Sequence, residues 1–243
     1  MLKTISFLNI TFNNVEVSDI EKILKKRGLF LFPSGPGLSD LNTNPKYHQA
    51  LINADQVFFD SGYFVLLLKV LKNIKVNKFS GYKFTKILFK YFKKKSIKKT
   101  LFIDPSKKLS TSYKKFIKKH LNIKSSHYIA PVYNQKKIID KTLLKKISIL
   151  KPRYIIINLG GGVQEILGFY LKKNLKYKPT IICIGGAIAF LTGDQAPIND
   201  FYDKVYIGWL IRILSKPNIF FYRYLKAFKL LLIVFQNKIK TYN

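Results

Sequence analysis

Acidic residues are scarce in this chain: 12 Asp and Glu stand against 44 Lys and Arg in 243 residues, a formal net charge of +32. That imbalance asks for an anionic partner, and nucleic acid, an anionic membrane surface and a phosphate-rich substrate are the physical options. Arginine is scarce too. Only Arg27, Arg153, Arg212 and Arg223 occur, and all other positive charge is lysine. An excess of Lys, Ile, Asn, Phe and Tyr is equally what an AT-rich genome produces, and lysine faces also simply solvate helices. The single cysteine, Cys183, excludes a disulfide framework and a cysteine metal cluster. It fits a reducing, cytosolic compartment. No apolar run approaches the ~20 residues needed to span a bilayer. Residues 1–14 lack the basic start, apolar core and cleavage site of a signal peptide. There is no D-x-D carboxylate pair and no H-E-x-x-H, which favours a metal-independent reaction without cofactor. His48, His120 and His127 stand outside every glycine-marked loop and read as surface residues. No RNA- or DNA-binding motif is visible, so nucleic acid is not the expected partner.

What is present is a core-forming chain. Hydrophobic residues make up 48% of it, enough to exclude wholesale disorder. Short β-rich runs at 29–32, 56–59, 101–103, 154–158 and 180–184 each precede a Gly, Pro or Asp. Helical patterns fall between them at 44–53, 64–71, 83–94, 110–120, 136–150 and 163–174. This alternation predicts an α/β fold with a mostly parallel sheet flanked by helices. Right-handed crossovers then gather the strand-end loops on one edge, where ligands bind.

Four glycine-marked segments point to that edge. Phe32-Pro33-Ser34-Gly35-Pro36-Gly37-Leu38-Ser39-Asp40 is a shaped loop; its backbone N–H groups suit a phosphate, and a structural turn is at least as common. Asp60-Ser61-Gly62 puts a rare carboxylate at a strand end. There it serves either as general base toward a sugar hydroxyl or as a cap of the next helix. Asn158-Leu159-Gly160-Gly161-Gly162-Val163-Gln164-Glu165 lets a ligand approach the backbone at a helix start, with Gly160 and Gly162 giving room. Glu165 stands where a dinucleotide fingerprint needs glycine, and no P-loop Lys-Ser/Thr follows. Glu165 suits the helix dipole, whereas Gln164 suits a ligand contact. Gly185-Gly186 in the fourth segment fits close backbone approach to a ligand or tight strand–helix packing.

The tail differs. From residue 207 acidic residues vanish, and residues 1–206 and 207–243 are read as a body and a basic helical appendage. Pro217 should separate two helices. In the second, Phe221, Leu225, Phe228, Leu232 and Phe235 form one apolar stripe. Arg223, Lys226 and Lys229 fall on another face. The helix either docks on the body or lies in a membrane interface, with Lys and Arg facing anionic headgroups.

In order, these segments resemble the WecB/TagA/CpsF glycosyltransferases (glycosyltransferase family 26), over residues 29–225. Asn53-Ala54-Asp55 through Asp60-Ser61-Gly62 is similar to the family's A-D…D-G segment. Leu159 to Glu165 looks like its G-x-P-x-Q-E motif. Gly185-Gly186-Ala187, Gly193, Ala196-Pro197, Trp209, Arg212, Pro217 and Arg223-Tyr224 look like its C-terminal signature. Lys78-Phe79-Ser80-Gly81 resembles its basic-x-x-Gly step. The resemblance implies a Rossmann-like fold with a C-terminal appendage. It also implies a bacterial, inverting, metal-independent enzyme moving N-acetylmannosamine or its uronic acid from UDP. The acceptor would be a polyprenyl-diphosphate-linked sugar at the cytoplasmic membrane face, in capsule or other cell-envelope polysaccharide biosynthesis. Asp60 would be the base, and Ser34 would stand in for the hydroxyl of a Thr that the family carries there. Lys78, Gln164, Glu165 and the glycines would lie by the donor. Arg212 and Arg223 would lie near the acceptor diphosphate, with Lys226 and Lys229 toward the membrane. The family's Gly-rich loop after the third strand is replaced by Asp104-Pro105-Ser106. A catalytically silent scaffold of polysaccharide assembly is the alternative, with a basic nucleic-acid-binding protein behind it. Whether the chain forms a homo-oligomer stays open.

Overall fold

Leu29 and Leu31 pack on one side of a sheet, while Phe30 and Phe32 pack on the other. The same alternation divides Ile155 and Ile157 from Tyr154 and Ile156, and Ile181 and Cys183 from Ile182 and Ile184. Strands apolar on both faces belong to a sheet covered on both faces. The computed structural model describes residues 3–97, 99–123, 125–195, 222 and 225–242, and shows that arrangement.

Among the described residues nine strands form one sheet. They are β1 (Lys3–Phe7), β2 (Ile10–Asn14), β3 (Gly28–Leu31), β4 (Gln56–Phe58), β5 (Thr100–Asp104), β6 (Ser125–Ile129), β7 (Tyr154–Ile157), β8 (Thr180–Cys183) and β9 (Ile239–Tyr242). Their spatial order is β6-β5-β7-β8-β3-β4-β2-β1-β9. Pairing is parallel from β6 through to β2. It is antiparallel at β2–β1 and β1–β9. All five expected strands are present. The hairpin β1–β2 was not foreseen, because its turn is Leu8-Asn9 and lacks glycine. Both residues carry positive φ, 50° and 62°, the conformation a tight hairpin turn requires.

The first face carries α3 (Pro45–Ile52), α4 (Gly62–Lys72), α7 (Lys141–Leu150), α8 (Val163–Asn174) and α10 (Lys229–Gln236). The second carries α1 (Ile20–Lys25), α5 (Gly81–Lys94), α6 (Lys107–Leu121) and α9 (Ala187–Thr192). A one-turn helix, α2 (Gly35–Leu38), follows β3. The chain therefore has the mixed, mostly parallel sheet of a Rossmann-like α/β fold. After β3 it leaves on the first face, and after β8 on the second. Where adjacent strands send their connections to opposite faces, a crevice opens at their C-terminal ends.

The described part of the C-terminal segment adds a helix and then a strand. Helix α10 buries Leu230, Ile233 and Val234 against the body and packs on α4. The expected stripe lies elsewhere: Phe228, Leu232 and Phe235 are 62%, 57% and 66% exposed. The helix is apolar on both faces, so spacing alone does not say which face docks. Phe221, Arg212, Pro217 and Arg223 lie outside the described residues. Among the described residues no helix is long and apolar enough to cross a membrane.

Candidate active site

Asp60 follows β4 and is half-buried. It does not cap the helix after it. Ser61 does, its Oγ accepting from the Phe64 N–H at 3.2 Å. The Asp60 carboxylate instead crosses to another element, where Oδ1 accepts from the Gly81 N–H at 2.7 Å. Gly81 opens α5, and Ser80 caps that helix by accepting from the Lys83 N–H at 3.1 Å. The Phe79 N–H donates to the Phe59 carbonyl at 2.9 Å, tying the approach of α5 to the end of β4. Below this junction Phe32 stacks on Phe58 at 4.6 Å and meets Phe84 at 4.7 Å. Removing a buried Phe of this kind costs about 3–5 kcal/mol, so apolar packing holds the N-terminus of α5 against Asp60. Lys78, half-buried, precedes the same junction.

A Cβ on Gly81 would lie 3.5–3.7 Å from the Ile184 carbonyl, Phe32 and Asp60. The ends of β3, β4 and β8 thus converge on one residue. Gly35 is tighter, since a Cβ there would come within 2.9 Å of the Ser61 Oγ. Ser34 caps α2, its Oγ accepting from the Gly37 N–H at 3.4 Å.

After β7, the glycine loop is braced from within. The Glu165 Oε2 accepts from the Gly162 N–H at 2.7 Å. The Gln164 Oε1 accepts from the Gly185 N–H at 2.7 Å, and its Nε2 donates to the Glu165 Oε1 at 3.1 Å. Gln164 and Glu165 are only 3% and 1% exposed. They join the β7 loop to the β8 loop, and Gly160, which is exposed, offers open backbone. Gly186 lies against the Gln195 side chain, whose Nε2 would be 2.7 Å from an added Cβ.

Between the β3 loop and the glycine loop lies a cavity of about 260 Å³. Pro36, Gly37, Asp40, Asn44, Tyr47, Gln135, Gly161 and Gly162 line it, and Tyr222 and Lys226 reach it from the tail. Asp60 lies at the same sheet edge without lining it. Sequence reading brought Gly162 to this edge, set Lys226 toward acceptor and membrane, and missed Asn44, Tyr47 and Gln135. Asn44 and Gln135 are 91 residues apart and hydrogen-bond at 2.8 Å. Lys229 is exposed at the start of α10.

A second polar cluster overturns one expectation. The His127 side chain is only 1% exposed. Its Nδ1 lies 2.6 Å from the Oδ2 of Asp104, a carboxylate with no exposure. The Asn158 Nδ2 donates to the other Asp104 oxygen at 2.8 Å. The His127 Nε2 lies 3.0 Å from the Ser125 Oγ, and Phe102 stacks on the ring at 5.0 Å. A buried carboxylate needs such partners. Burial, then the charges of Asp104 and Asp194, push the Tyr113 phenol well up.

The sequence model described as Glycosyl transferase WecG/TagA/CpsF family matches residues 4–243, and the chain belongs to that family. It is a family of glycosyltransferases of cell-surface polysaccharide biosynthesis. No curated protein sequence matches the chain significantly.

Proposed function

We propose that this protein is an inverting hexosyltransferase. It moves a sugar, of the N-acetylmannosamine type, from UDP to a lipid-diphosphate-linked acceptor. In this reading Asp60 takes the proton of the acceptor hydroxyl as that oxygen bonds to the anomeric carbon. The bond from that carbon to the UDP oxygen breaks, and UDP leaves with the electron pair. General-base help of this kind contributes about 10²–10⁴-fold. The observation that carries the reading is the Asp60–Gly81 hydrogen bond, which fixes one rare carboxylate at the crevice.

Electrostatics supports a role for the basic residues around the site. The leaving diphosphate needs positive charge. The α8 N-terminus supplies only part of it, because Glu165 already occupies the Gly162 N–H. Lys78 is the cation assigned to the donor diphosphate, and Arg212 and Arg223 of the tail are assigned to the acceptor diphosphate.

A membrane surface is the proposed location of the acceptor, with the protein bound peripherally at the cytoplasmic face. The exposed Phe228, Leu232 and Phe235 support this. Tyr63, Leu66 and Val70, spaced three and four apart on α4, share one side of that helix. Leu66 and Val70 are exposed, and Tyr63 meets Phe228 edge-on at 6.2 Å. Two helices thus present apolar side chains beside Lys69, Lys72, Lys226 and Lys229, the composition of an interfacial surface.

The test is a donor screen. UDP-sugars are offered with a polyprenyl-diphosphate sugar, and product mass is read for the wild type and Asp60→Asn. Transfer by the wild type alone supports the reading. Equal turnover by the variant removes Asp60 from its role, and binding without turnover by the wild type favours the silent scaffold.

A further inference from the structure

The geometry points to Gln135 as the residue that reads the donor sugar, with Asn44 as the positioning residue that sets which end of its amide faces the cavity. This inference rests on the transferase reading above. Asn44 caps α3, its Oδ1 accepting from the Tyr47 N–H at 3.1 Å. Its carbonyl end is therefore committed to the helix, and its Nδ2 donates to the Gln135 Oε1 at 2.8 Å. That bond commits the acceptor end of the Gln135 amide in turn. The whole amide lies against Gly162, with Nε2 at 3.0 Å and Oε1 at 3.2 Å from an added Cβ, and both residues line the cavity. Amide orientation is decided by such networks, and with Oε1 committed to Asn44 the Nε2 is the end we assign to a ligand.

The turn that carries Gln135 is exposed and tied at several points. The Asn134 Oδ1 accepts from the Lys136 N–H at 2.9 Å, and the Asn134 carbonyl accepts from the Lys137 N–H at 3.0 Å. Lys46 Nζ of α3 donates to the Lys136 carbonyl. The Tyr133 hydroxyl, just before the turn, donates to the Asp140 Oδ2 at 2.5 Å. A donor fixed this way gives up little entropy on binding, which is what a specificity contact needs.

The rest of the cavity identifies the ligand class. It holds one carboxylate, Asp40, one ammonium, Lys226, two amides, two phenols and glycine backbone. An anion site would exclude Asp40. Mixed donors and acceptors with aromatic faces suit the hydroxyl and carbonyl oxygens of a neutral sugar. The Gln135 Nε2 donates to one such oxygen.

The experiment measures binding of UDP and of a panel of UDP-hexoses and UDP-N-acetylhexosamines by calorimetry. Three full-length chains are compared: wild type, Gln135→Ala and Asn44→Asp. Asp caps a helix as well as Asn does, so a purely structural role for Asn44 predicts no change. The inference predicts the opposite. An Asp at that position accepts only, so it draws the Gln135 Nε2 toward itself and turns Oε1 into the cavity. Both variants should lose about three- to tenfold of the preference for the best-bound UDP-sugar over UDP, the worth of one hydrogen bond. Affinity for UDP itself should stay at the wild-type value. A wild-type preference retained by either variant overturns the inference, as does a wild type that binds UDP and every UDP-sugar equally. A wild type that binds no UDP overturns the transferase reading and this inference with it.

Discussion

The Asp60 carboxylate accepts the first N–H of α5, from Gly81, at 2.7 Å. Asp60 follows β4 and Gly81 begins a helix 21 residues later. The bond orients a carboxylate with the partial positive charge of a helix start, without using the cap of its own helix. Loop side chains rarely hold one direction. This one is held by the backbone of a 14-residue helix seated on a phenylalanine cluster.

Asp60→Asn tests that arrangement. The Asn oxygen still accepts from Gly81, so the thermal midpoint should shift little. Transfer should fall about 10²–10⁴-fold, the usual worth of a general base. A melt and a turnover assay on one preparation separate the two effects.

Gly168→Ala sets two effects against each other. Alanine is the better helix former by about 1 kcal/mol. Against that, its Cβ would meet Leu29 at 2.7 Å and the Cys183 Sγ at 2.9 Å, where α8 presses on β3 and β8. Overpacking of this kind costs about 1–3 kcal/mol. Net destabilisation is expected in urea unfolding, and a stabilised variant would contradict the packing of α8.

The two faces of α10 should respond differently. Phe228→Ser and Phe235→Ser remove exposed rings, so folding should be unchanged. Flotation with anionic liposomes should weaken about tenfold or more for each, since a buried Phe contributes about 1.5–3 kcal/mol. Leu230→Ala should cost about 2–5 kcal/mol of stability. Unaltered flotation in both Phe variants would remove the membrane role from this face.

Asp55 predicts part of the acid response. Burial pushes its carboxyl up. Hydrogen bonds from Lys172 and the Leu29 N–H, with the charges of Lys172 and Lys178, outweigh that and leave it below its ordinary 3.8. A depressed carboxylate stabilises the fold above its unfolded value. That contribution disappears as pH falls through the folded value. Asp55→Asn should therefore flatten the loss of stability below about pH 4, read by urea midpoints across the acid range.

Where the sequence was legible, local punctuation carried the signal. Strands β3, β4, β5, β7 and β8 are short apolar runs closed by Gly, Pro or Asp, and they are found as expected. Strand β6 begins Ser125-Ser126-His127 and β9 is Ile239-Lys240-Thr241-Tyr242; neither has an apolar run to notice. Asp60 was conspicuous by rarity, and its partner Gly81 lay in a segment already singled out. The burial of His127 was not legible. It depends on β5–β6 register, which sets Phe102 opposite His127 and brings Asp104 diagonally within reach. The Asn44–Gln135 pair left no trace either, because nothing local links a helix cap to a distant turn.

The pairing of β9 with β1 has a consequence for how the chain matures. The outer edge of β1 matches Ile239–Tyr242, with Ile5 opposite Thr241. On the ribosome that edge must wait for the whole intervening chain. Meanwhile it is an open template for other strands. Pairings this far apart in sequence also close late. The strand that closes this edge late is thus the one that directly follows α10 and its exposed outer face.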